Sequence, residues 1–381
     1  MSMLEASDVA AGHRACRKVF AFEALRIGVH CEQKSDLEWL EEFLAPSFVL
    51  SWREGADVEI RLRSDPARFT ELFRRGATPV RIDTFLLDTR VLRFPVCSPF
   101  DHELVLYDET SRVFYLIDGD GKSVEILSHR VDRSTRTALM RVVREVGMIH
   151  ARRRCLLLHA SCFALDGQGV LVLGAKGAGK TTLLLHALLD GAARYVTNDR
   201  VLVSEGPGDL VVTGVPTIVT VRANSLRFFP RLSGRLAVHR GRHTDRLGEA
   251  PLTEWAADSL KPTTYNLSPA QLCSLAEAES IAAAPAAVLL FPRITAWKNG
   301  IEIRSMSNEE TLHRIEESRF GASTSRRSPS AFEFVLPQDP RGRGSVPNRD
   351  DLAGRTRAFE CLLGRDAYVE PARNWLRRLR G

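Results

Sequence analysis

CLLLHASCFALDGQGVLVLGAKGAGKTT, residues 155–182, is the stretch from which the fold can be read. Cys155 to Leu165 is apolar and strand-like, and Gly169 to Leu173 is a second short apolar run. Asp166-Gly167-Gln168 lies between them, which is a hairpin signal. A phosphate loop follows at once: Gly174, Ala175, Lys176, Gly177, Ala178, Gly179, Lys180 and Thr181, with Thr182 continuing into a predicted helix, Thr181 to Leu189, that ends at Gly191. Such a loop needs glycines because its backbone wraps around phosphate oxygens with the N–H groups pointing inward, while the helix N-terminus adds partial positive charge. The spacing assigns Lys180 to the β- and γ-phosphates of a nucleoside triphosphate and the Thr181 hydroxyl to its magnesium. Lys176, inside the loop, either adds a phosphate contact or faces solvent.

Downstream, Arg194 to Thr197 reads as a strand leading to Asn198-Asp199. Magnesium needs a further oxygen ligand or a carboxylate to hold its waters. Asp199 is the candidate, with an Asx turn as the alternative. Hairpin geometry also brings in His159. A tight two-residue turn at Asp166-Gly167 sets His159 opposite Gly174, and a four-residue loop would set it opposite Lys176. Either register puts the imidazole beside the phosphates.

A histidine on a strand, a hairpin, a phosphate loop, a helix ending in glycine and a strand ending in an acidic pair together resemble the HPr kinase/phosphorylase family, which is distantly similar to phosphoenolpyruvate carboxykinases. Here the order runs through His159, Asp166-Gly167, Gly174 to Thr181, Gly191 and Asn198-Asp199, and the resemblance spans roughly residues 155 to 220. It implies an α/β fold with a mixed-sheet phosphate-loop kinase core, use of ATP and Mg2+, and transfer of a phosphoryl group to a hydroxyl by a diverged member rather than by the carbohydrate regulator. The family's downstream glycine-rich signature is missing. In that family the first acid of the pair is the catalytic base, and Asn198 stands there in this chain. An amide cannot take the proton, so three routes stay open: Asp199 serves as ligand and base, His159 is the base, or positioning and charge neutralisation suffice. Lys180, His159, Asp199 and Asn198 form the expected catalytic set, with Arg222 and Lys261 as weaker phosphate or acceptor contacts.

Outward from this core, Ser35 to Leu44 and Phe69 to Arg75 have helical character, and Val58 to Arg63 alternates like a strand. Strands follow at 79–86, 89–95, 103–108, 112–118 and 122–127. The expectation is an N-terminal α+β domain over 1–133 with an antiparallel sheet, serving to bind the acceptor or to scaffold the core. A long helix from Ser134 to Ala151, capped by Asp132 or Ser134, opens the kinase domain, 134–320. Hairpin strands at 201–204 and 210–213, a buried strand at 286–291, a short strand at 301–304 and a helix at 269–277 fill it out. Residues 321–381 read as a flexible segment rich in Ser, Arg, Gly and Pro, closed by a helix over 351–363.

Composition bounds the rest. Of 381 residues, 44% are hydrophobic and 26% charged, ordinary for a globular protein. No apolar run is long enough to span a bilayer, and the N-terminus lacks a secretory pattern, so the expected location is the cytoplasm with no membrane partner. Seven scattered cysteines argue against a disulfide framework and against zinc. The net charge of +6 is concentrated between Arg222 and Arg246, where Arg222, Arg227, Arg231, Arg235, Arg240, Arg242 and Arg246 meet only Asp245. That run is either a solvated surface or the seat of an anionic group, on the acceptor or on a nucleic acid. The expected partners are a hydroxyl-bearing peptide or small molecule and further copies of the chain. The rival reading is a nucleotide-dependent switch, or a nucleic-acid-associated ATPase, without transfer to a hydroxyl.

Overall fold

The computed structural model describes residues 16–75, 77–84, 92–97, 104–191, 193–226, 228–242, 264–295, 299–319, 345–364, 366, 367, 369 and 371–380. These form two compact units, residues 16–42 with 49–147, and residues 43–48 with 148–319 and 345–380.

The first unit carries β1 (Cys16–Phe22), β2 (Leu25–Cys31), α1 (Lys34–Leu44), β3 (Val49–Leu50), β4 (Val58–Ser64), α2 (Pro66–Arg75), β5 (Ala77–Thr84), β6 (Leu92–Cys97), β7 (Leu104–Asp108), β8 (Val113–Ile117), β9 (Ser123–Ser128) and most of α3 (Arg133–Ala151). Its strands make one sheet in the order β3-β1-β2-β4-β9-β8-β7-β6-β5. The sheet is mixed, which corrects the antiparallel expectation: β4 runs parallel to both β2 and β9. Parallel neighbours need a crossover, and α1 supplies the one from β2 to β4. Asp132 caps α3, its Oδ1 accepting from the backbone N–H of Ser134 at 2.8 Å and Thr135 at 3.2 Å. Leu139, Val142, Val143 and Val146 are fully buried, as their helical spacing predicts.

The second unit holds β10 (Leu156–Leu158), β11 (Ala160–Leu165), β12 (Gln168–Leu173), α4 (Lys180–Leu189), β13 (Arg194–Thr197), β14 (Val201–Glu205), β15 (Leu210–Gly214), β16 (Val219–Arg222), α5 (Ala223–Leu226), α6 (Pro230–Arg242), β17 (Thr264–Leu267), α7 (Pro269–Ala276), β18 (Ala283–Ile294), β19 (Ile301–Ser305), α8 (Asn308–Glu317), α9 (Arg349–Gly354), β20 (Arg357–Leu363) and α10 (Ala372–Leu376). The strand order is β10-β14-β15-β18-β12-β11-β13, with β20 pairing β18 and β19 pairing β20. β18 is the axis, parallel to β12 and β20 and antiparallel to β15. One face of the sheet buries Leu183, Leu184 and Leu188 of α4 with Leu232, Leu272 and Trp375. The other buries Leu171, Leu289 and Phe291 with Ile315 of α8 and Leu352 of α9. This is a mixed α/β architecture.

Two expectations change here. The apolar run from Cys155 to Leu165 is two strands, broken at His159: β10 pairs β14, while β11 pairs β12. The backbone N–H of His159 donates to Ser318 O at 2.8 Å instead of to a ladder partner. The helix expected over 351–363 is also wrong. α9 starts early, with Asn348 Oδ1 accepting from the N–H of Asp350 and Asp351, and stops at Gly354. Arg357–Leu363 then enters the sheet along β18, burying Cys361, Leu362 and Leu363. With Arg357 and Glu360 three residues apart among apolar neighbours, the run has no twofold alternation to mark it as a strand. Residues 321–344 of the expected flexible segment lie outside the described residues.

Candidate nucleotide site

The hairpin that carries the site has the tight turn. Leu165 pairs with Gln168 and Ala160 with Leu173, and Asp166 and Gly167 have φ of 50° and 83°. Two consecutive left-handed residues match the right-handed twist of the flanking strands. The ladder ends at Ala160 and Leu173, one step short of His159, and its register excludes the alternative that set His159 opposite Lys176. Asp166 is held from outside by Arg380, Nε to Oδ2 at 2.7 Å.

Beyond β12 the backbone wraps through Gly174, Gly177 and Gly179, with φ of 147°, 88° and 111°. Side chains other than glycine's rarely adopt these angles. At Gly179 a Cβ would also crowd the sheet, lying 2.9 Å from Leu363 Cδ1, so the leucine would have to shift. The Lys180 amine is buried under the loop and donates to the carbonyls of Gly174 at 2.6 Å and Ala175 at 3.3 Å. Burial lowers its pKa, and the Asp199 carboxylate works against that shift. Ala175, Lys176 and Gly177 are exposed at the loop's tip, while Thr181 and Thr182 are half-buried in the first turn of α4.

Asp199, at the end of β13, is the centre of charge. Its Oδ1 meets His159 Nε2 at 3.0 Å and its Oδ2 meets Arg200 Nε at 3.2 Å. Desolvation pushes its pKa up, but the His159 hydrogen bond and the Arg200 charge outweigh it and hold the carboxyl well below the usual range. The break between β10 and β11 is what frees His159 to turn toward this acid. Asn198 sits differently. Its Oδ1 accepts from the hydroxyls of Tyr195 and Thr217, both at 2.9 Å, and its Nδ2 donates to Ile218 O at 3.4 Å. Its own carbonyl accepts from Ser161 Oγ at 2.6 Å. Asn198 is tied into the wall behind Asp199, with both ends of its side-chain amide bonded to neighbours.

The sequence reading missed Arg200, Tyr195, Thr217 and Ser161. Arg200 was legible as a cation next to Asp199. The hydroxyls come from three separate strands and turns and meet only in the fold. The arginine-rich stretch divides. Arg235 is a staple between α6 and the end of α7, with Nη1 donating to Leu275 O at 2.7 Å and Nη2 2.6 Å from Glu277. Of the two readings of this run, Arg235 thus has a structural partner within the fold. Arg222 and Arg231 are exposed. Lys261, Arg227 and Arg246 lie outside the described residues, as do the side chains of Arg240 and Arg242.

The donor set suits a hard, oxygen-preferring cation carried with phosphates. Among the described residues no group of three or more His, Cys, Asp or Glu could hold a metal by itself. Magnesium keeps most of its waters and takes one or two protein oxygens plus phosphate. Thr181 and Asp199 provide oxygens of that kind. Among the described residues no helix is long and apolar enough to cross a membrane.

No family model matches the chain, and no curated protein matches it. Among solved structures, the HPr(Ser) kinase/phosphatase from Coxiella burnetii is similar over 39% of this chain and 72% of its own, at 11% identity and a TM-score of 0.22. At that score the likeness decides neither fold nor activity, and the site's own geometry is what bears on function.

Proposed function

We propose that the chain is a magnesium-dependent kinase that transfers the γ-phosphoryl group of ATP to a hydroxyl, on a peptide serine or threonine or on a small metabolite. The observation that carries this reading is the 3.0 Å pairing of His159 with Asp199, with Asp199 also acting on the phosphate-loop lysine. A bare nucleotide-binding loop needs no imidazole paired with a carboxylate whose charge reaches the loop lysine.

The loop amides and Lys180 bind the phosphates, and Lys180 exchanges its two carbonyl partners for phosphate oxygens. Thr181 and Asp199 would hold the magnesium, which would supply positive charge to the transferring group. Asp199 also fixes the His159 ring, and the imidazole takes the acceptor's proton or donates to the γ-phosphate. Asn198 holds the peptide on which Asp199 rides.

The test is ADP release that depends on an added hydroxyl acceptor, with a phosphorylated product formed in equal amount. His159→Ala should lower kcat by about 10²–10⁴-fold with nucleotide affinity kept, and His159→Gln should regain part of it if hydrogen bonding is the role. A second reading, a nucleotide-dependent switch without transfer, draws on Asn198, whose side chain is committed to the wall. ATP binding with no acceptor-dependent ADP from any hydroxyl substrate would favour it.

A further inference from the structure

The end of β18 stands beside the phosphate loop with an aliphatic side chain in solvent. Pairing of β12 with β18 stops at Val172 and Leu290, but β18 continues along β20 as far as the pair Ile294 and Leu363. The two strands therefore overhang the start of the loop. Leu290 and Leu363 belong to the face of the sheet that packs on α4, and strand alternation puts Pro292 and Ile294 on that same face. A Cβ on Gly179 would meet Leu363 Cδ1 at 2.9 Å, Pro292 Cβ at 3.8 Å and Ile294 Cγ1 at 3.9 Å. Leu363 is 1% exposed, whereas Ile294 is 62% exposed. So an apolar ledge begins under Gly179 and runs outward to an uncovered isoleucine, next to the N-terminus of α4.

We infer that Ile294 is the seat of the nucleobase, with the flat face of a purine lying on its side chain while the loop holds the phosphates. The inference rests on the nucleotide reading above. Three observations choose this occupant. The ledge is continuous with the phosphate site through Gly179. It is apolar, as the face of a base requires. And β18 flanks β12 on the side opposite β11 and β13, away from His159 and Asp199 where the γ-phosphate is read to sit, so the ribose end of the nucleotide is the end that faces it.

The experiment compares two probes on the full chain: ATP with magnesium, and inorganic tripolyphosphate with magnesium, which has the phosphates and no base. Ile294→Ser removes the apolar contact at an exposed position. ATP should bind about five- to twentyfold more weakly, the worth of about two buried carbons, with tripolyphosphate unchanged. Ile294→Leu, which keeps the hydrocarbon, should bind ATP like the wild type. Unchanged ATP affinity in Ile294→Ser would overturn the inference, as would an equal loss for both probes. If the wild type binds ATP and tripolyphosphate equally well, the base has no seat and the inference falls while the phosphate loop stands. If the wild type binds neither, the nucleotide reading itself falls, and the ledge with it.

Discussion

Asn198→Asp restores an acid at the position where the resembled family keeps its base, and the geometry expects it to do harm. The amide at 198 accepts from two hydroxyls at 2.9 Å and donates to Ile218 O at 3.4 Å. A carboxylate keeps the two acceptances and loses the donation. At that length the lost bond is worth about 0.5 kcal/mol. The larger cost is a second negative charge, largely buried, in the residue next to Asp199 and against a carbonyl oxygen. Charge-assisted bonds from Tyr195 and Thr217 offset part of it, leaving about 2 kcal/mol net. For a domain of this size that is about 4–8 °C in Tm. The sign with pH is specific. Burial raises the introduced carboxyl's folded pKa above its unfolded value near 4, so the deficit is absent below about pH 4, grows as pH rises and levels off above the folded pKa. Thermal unfolding of variant and wild type from pH 4 to 8 reads this directly, and acceptor-dependent ADP release reads the activity, which should fall or stay level. A variant as stable as the wild type at pH 8, with transfer raised tenfold, would refute the account of Asn198 as a positioning residue.

Lys180→Ala should abolish most nucleotide binding, measured by calorimetry, because the buried ammonium under the loop is removed; wild-type affinity would end the phosphate-loop reading. The Asp199 carboxyl, held well below the usual range by His159 and Arg200, contributes stability present above about pH 4 and lost as pH falls below it. With Asp199 about a third exposed, solvent screening trims that to about 1 kcal/mol, and His159→Ala should flatten the acid limb of the Tm profile. Arg235→Glu should lower Tm, because it breaks the link to Leu275 and Glu277, while leaving the acceptor's KM unchanged; a raised KM at unchanged Tm would return Arg235 to the cleft.

The local pieces of the site were written in the chain. Gly174 to Thr181 declares a phosphate loop because only glycine tolerates those backbone angles, and Asp166-Gly167-Gln168 declares a hairpin, although its register stayed open until the left-handed φ of Asp166 and Gly167 chose the tight turn. Either register of that hairpin points His159 toward the phosphate loop. What the tertiary structure decided depends on contacts between distant segments. The apolar run 155–165 carries no sign that Ser318 will take the N–H of His159 and break the strand. Residues 357–363 show no twofold alternation that marks a strand, with Arg357 and Glu360 three apart, and pairing with β18 and β19 made the choice. Asn198 looked like a lost base because its neighbours Tyr195, Thr217 and Ile218 are defined as partners only when the strands assemble. Parallel pairing of β4 with β2 and β9 was equally out of reach, because strand direction is set by crossovers and not by the residues of the strand itself.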